Sequence, residues 1–128
     1  MSNGTDNRYQ KSAANFVATM LHSGTQAHLY HLRTKSYAQH VALGDYYDKI
    51  IDLTDAFAEA YQGCYSVIET YPNDFHTAKG EPVEYFEMLK EYVDKIRKTL
   101  PDESQLQQLI DNIAELIDTT IYKLKNLK

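Results

Sequence analysis

Toward the end of the chain, Leu106, Ile110, Ile113, Ile117, Thr120, Leu124 and Leu127 recur at alternating steps of four and three. That spacing keeps one stripe of a helix facing a partner, as in left-handed helical packing. It predicts a helix over about 103–127. Asp102 with Gln105 three residues on is a capping-box signature just before it, and Pro101 separates it from the preceding segment. There, Tyr85, Phe86, Leu89, Tyr92, Val93, Ile96 and Leu100 share one face of a helix predicted over 82–100, with Pro82 suited to its first turn. The link between these two helices is so short that they must be antiparallel neighbours.

The first half repeats the theme. Ala13, Phe16, Val17, Met20, Gly24, Ala27 and Leu32 recur at helical spacing and predict a helix over about 9–33, after a loose polar lead at 1–8. Gly24 lies on that face, where it costs about 1 kcal/mol against Ala; close approach of a neighbouring backbone would account for it. "TKS" breaks the pattern, and Ser36 with Gln39 is a second capping box, restarting a helix over about 36–69. "TYPNDFHTAKGEP" is the one substantial loop, with two prolines and a glycine. Its thirteen residues can span roughly 40 Å. Length alone permits either a crossover along the whole molecule or a simple up-down-up-down order. The expected fold is all-α: one domain over 1–128, a four-helix bundle of two antiparallel hairpins joined by a longer middle connection.

Composition narrows the function classes. The formal net charge is −5 and no basic arm is present, which argues against nucleic acid, since backbone binding needs many phosphate-neutralising cations. The basic C-terminal "YKLKNLK" suits the negative end of a helix dipole. Cys64 is the only cysteine, so neither an intrachain disulfide nor a cysteine zinc site is available. No apolar run approaches the ~20 residues of a membrane span, and the polar start lacks a signal core. A cytoplasmic protein is the expectation.

The candidate chemistry sits on the first two helices. "HLYHLRTKSYAQH" holds His28, His31 and His40. Along the second helix, His40, Gly44, Asp48, Ile51, Asp55 and Glu59 stay within a band roughly 100° wide. Imidazole and carboxylate together suit iron, manganese or zinc. The competing reading is structural: histidines hydrogen-bonded in a helical face, and Asp48 with its acidic neighbours a solvated surface. Asp55 and Glu59 form an i,i+4 like-charge pair that a cation would relieve. No Glu-x-x-His occurs anywhere, so a within-chain di-iron centre of the usual bundle type is not expected.

His28, His40 twelve residues later, and the Asp-x-x-x-Glu of "DAFAE" together resemble the Dps family of starvation-inducible, ferritin-like miniferritins. The chain as a whole looks more like small phage-encoded ferritin-like proteins than like a typical member. The resemblance covers residues 28–63. It implies an iron site shared between subunits, with His28 and His40 from one chain and Asp55 and Glu59 from its two-fold mate. The sequence departs from that pattern in three ways. Gly44 stands where the family has an Asp, with Asp45 or Asp48 a potential substitute. Leu29 stands where a Trp is frequent. The middle connection is too short for the family's extra crossover helix. Two functions follow as expectations. One is a Dps-like iron-binding protein that oxidises Fe(II) at an inter-subunit di-metal site and works as a homodimer or higher oligomer. The other is a non-catalytic ferritin-like oligomeric module that binds a protein or small-molecule partner; eleven tyrosines suit such an interface.

Overall fold

A computed structural model describes residues 8–128; the expected polar lead lies outside these except for Arg8. Four helices account for most of the described chain: α1 (Gln10–Arg33), α2 (Tyr37–Cys64), α3 (Pro82–Ile96) and α4 (Ser104–Asn126), and a 3-10 turn over Arg97–Thr99 follows α3. No strand occurs among the described residues. The apolar stripes, apart from Leu32 of α1, which is exposed, close on one another in a single buried cluster drawn from all four helices, including Phe16, Met20, Leu43, Phe57, Phe86, Leu89, Ile110 and Ile113. On α4 the buried set is Leu106, Ile110, Ile113, Ile117, Thr120 and Leu124, the seam the spacing predicts. Leu127 falls past the helix end and is exposed.

The helix pairs that pack side by side run antiparallel. Phe16 meets Phe57 and Ser23 meets Tyr46 between α1 and α2. Lys90 pairs with Asp118 and Arg97 with Asp111 between the α3 end and α4. Lys123 pairs with Asp45, and Gln105 reaches Cys64, between α4 and α2. Tyr92 reaches Asn15 and Tyr85 approaches Tyr30 between α3 and α1. In each case one residue number rises as the other falls. Since α1 opposes both α2 and α3, those two helices point the same way, and an up-down-up-down order is excluded.

The connection from Tyr65 to Glu81 must therefore travel back along the molecule. It runs as a strap beside α1, held by a row of α1 side chains. Gln10 Nε2 donates to the Val67 carbonyl, and the His22 ring nitrogen Nε2 lies 3.1 Å from the His76 carbonyl. Gln26, buried at 2% exposure, accepts from the Ala78 amide, and Tyr30 donates to the Gly80 carbonyl.

Several helix ends depart from the periodicity. The second helix stops at Cys64 rather than near 69. Gly63 weakens its last turn, and the Gln62 side chain accepts the Ile68 amide, 2.9 Å away, in place of a helical carbonyl. Tyr65 and Ile68 still pack against the core as the strap begins, so the apolar spacing outlives the helix. The third helix tightens into the 3-10 turn before Pro101, because the residue preceding a proline is pushed out of helical geometry; Leu100 is extended. Only half of the Ser36 box forms: Ser36 Oγ accepts from the Gln39 amide, while the Gln39 side chain is taken by Thr34 Oγ1 at 2.7 Å. The Asp102 box does not form; Glu103 is the N-cap residue of α4, and its carboxylate instead accepts from the Tyr65 hydroxyl. Gly24 marks the close approach of a side chain rather than of a backbone: a Cβ there would stand 3.0 Å from Ile50 Cγ2.

Candidate functional site

The three-residue link between Arg33 and Tyr37 folds α2 back on α1 and brings the histidines of the two helices into one row. His28, exposed on α1, stacks on Tyr47 of α2 with centroids 4.1 Å apart. His31 meets Tyr47 edge-on at 5.3 Å and lies flat against His40 at 3.6 Å. His31 Nδ1 is 2.6 Å from the His40 carbonyl, and His40 Nδ1 is 2.9 Å from the His31 carbonyl. A carbonyl only accepts, so both Nδ1 atoms carry protons. In each neutral ring the lone pair is then left on Nε2, the arrangement that orients ligating histidines.

His31 therefore sits in one row with His28 and His40. It also explains Gly44: a Cβ at that position would sit 3.2 Å from His31 Cε1. At that position an imidazole leans over a bare backbone. Neither His31 nor Tyr47 is distinguished by helical spacing. Their role depends on the register between two helices, which only the tight turn at 34–36 hints at.

Asp48, Asp55 and Glu59 are exposed on the outward side of α2. Asp55 is fifteen residues beyond His40 on one helix, roughly 22 Å at the helical rise, so one chain does not bring the two histidines and the two acids together. Among the described residues no group of three His, Cys, Asp or Glu side chains is close enough to hold a metal ion. The same outward face carries Leu21 and Leu32 of α1 and Tyr37, Val41 and Ile51 of α2, half of the ten large apolar side chains left exposed among the described residues. An acidic and apolar surface thus flanks the histidine row.

Burial shifts several phenols away from this face. Tyr46, fully buried and paired with Ser23 Oγ at 2.7 Å, and Tyr85 are held protonated well above the ordinary tyrosine value by desolvation. Tyr92 is pushed up to about 12, again chiefly by burial. These groups are core and carry no acid-base work near neutrality.

Among the described residues no helix is long and apolar enough to cross a membrane. No curated protein and no solved structure matches the chain. A family model does match, over residues 31–124, a span holding His31, His40, Gly44, Tyr47 and the acidic stripe but not His28. On that match, which covers most of the chain, the protein belongs to the family of unknown function DUF5856.

Proposed function

We propose that the chain is a ferritin-like four-helix bundle that self-associates through the outward α1/α2 face and binds Fe(II) where two copies meet. One copy would contribute His28 and His40, the other Asp55 and Glu59. The observation that carries the reading is the placement of the donors. All four lie on one outward face, beside five exposed apolar side chains, yet His40 and Asp55 are too far apart to meet within one chain. An antiparallel second copy would close that gap and cover the apolar residues. The up-down-down-up order of the helices, with a strap in the long crossover, supports the ferritin-like assignment.

The donor chemistry fits. His40 offers Nε2, its Nδ1 proton being fixed on the His31 carbonyl. The carboxylates favour Fe(III) over Fe(II) by charge, which would assist passage of electrons to dioxygen or peroxide. Manganese and zinc suit the same donors. Asp48 lies on the same stripe, about two turns from His40, and would act as an outer acid of the site.

One observation favours the second reading, a non-catalytic oligomeric module. His31 leans over Gly44 and fills the room next to the backbone where the miniferritin pattern has an acid. Titration of Fe(II) under argon, followed by oxygen, separates the two. The iron reading expects stoichiometric binding and an oxidation signal, both lost in His28→Ala and Glu59→Ala. A protein that self-associates but binds no Fe(II) supports the module.

A further inference from the structure

Tyr30 is two residues beyond His28, about 200° around the helix, and opens onto the opposite side of α1. There the end of α1, the first turn of α2 and the last residues of the strap form an open recess of about 580 Å3. Arg33, Lys35 and Lys79 line it, and Glu81 is the only acid on its wall. In a chain of net charge −5 this is a local excess of positive charge. None of the ion pairs among the described residues takes up these three cations. The Arg33 guanidinium is held 4.9 Å over the Tyr30 ring, a stack that limits its rotamer freedom. Gln39 spends its side-chain oxygen on Thr34, so its amide nitrogen is the donor left for the recess.

Three cations, one of them a planar fork suited to phosphate oxygens, specify an anion with several charges. The volume exceeds what inorganic phosphate fills and falls in the range of small-molecule sites, roughly 300–1,000 Å3. Tyr30, Ala78 and Pro82 add apolar wall. We propose that this recess binds a phosphorylated small molecule of nucleotide size, phosphates against Arg33, Lys35 and Lys79 and the organic body against Tyr30, Ala78 and Pro82. The site is independent of the iron reading: it lies on the other side of α1 and needs no metal.

Isothermal titration calorimetry on the full chain, in EDTA, tests it with ATP, tripolyphosphate and inorganic phosphate as probes. The expected result is saturable one-to-one ATP binding, tighter than tripolyphosphate and far tighter than phosphate, and weakened about tenfold or more in Lys35→Ala/Lys79→Ala. Both lysines are exposed, so that variant should melt like the parent. If it does not, Arg33→Lys keeps the charge, loses the fork, and should weaken ATP binding by itself. Absence of saturable binding, or ATP affinity unchanged in these variants, overturns the site. Tripolyphosphate binding as tightly as ATP overturns the assignment of a nucleotide-sized body.

Discussion

A single methyl group at Gly44 would press on the His31 ring, which stacking and its Nδ1 bond hold in place. Glycine inside a helix ordinarily costs about 1 kcal/mol against alanine. Gly44→Ala should therefore gain close to nothing in the parent chain, because the displaced ring offsets the helical gain. In a His31→Ala background the same change should recover about 1 kcal/mol. Urea unfolding of the four proteins measures this coupling, and equal gains in both backgrounds would show that His31 does not occupy the space. The buried phenols make a second residue-scale prediction. Their pKa values are raised in the folded chain, Tyr92 to about 12, so folding favours the protonated form. That contribution is complete below the ordinary tyrosine value of about 10 and is lost as pH rises through the folded values. Stability should begin to fall above about pH 10. The fall should be shallower in Tyr92→Phe, and identical slopes in the two proteins would contradict the assignment.

At the scale of elements, the strap is the part whose course the sequence leaves open. Its thirteen turn-rich residues are visible in "TYPNDFHTAKGEP", but span length is compatible with two connectivities. The choice is made by tertiary contacts that no local pattern announces: Gln10, His22, Gln26 and Tyr30 of α1 each hold strap backbone. Gln26 carries the most, being buried with the Ala78 amide as its donor. Gln26→Ala leaves that amide without its partner, at about 1–3 kcal/mol. Hydrogen exchange of strap amides near Ala78 should then speed up well before α4 amides do. Uniform acceleration across the chain would mean that the strap has no local stability of its own. The helices were more legible. Seams on α3 and α4 read directly from spacing because each helix has one buried face. The end of α2 did not, because Tyr65 and Ile68 keep the helical rhythm while the backbone has already left the helix. The candidate donors were legible as residue types, His28 near the end of α1 and the others on one stripe of α2; the His31–His40 stack was not, since it depends on how far α1 slides against α2.

For the whole molecule, the choice of surface is between a solvated acidic face and an interface. Leu21, Leu32, Tyr37, Val41 and Ile51 are exposed on the same side as the acidic stripe, and apolar side chains left exposed on one face mark association sites when they form a patch. Ile51→Lys places a charge at the centre of that face without touching the core. Sedimentation equilibrium should show the parent chain as a dimer or larger and the variant as a monomer with an unchanged helical circular-dichroism spectrum. An Ile51→Lys variant of parental mass would place the interface elsewhere.

The shared metal site is the central claim, and subunit mixing tests it most directly. His28→Ala/His40→Ala and Asp55→Ala/Glu59→Ala should each bind no Fe(II) alone. Unfolded together and refolded as an equal mixture, they should regain about a quarter of the parental sites. Half of the dimers pair unlike chains, and each of those rebuilds one site of its two. No recovery on mixing, with dimer formation intact, would contradict a site built from two chains.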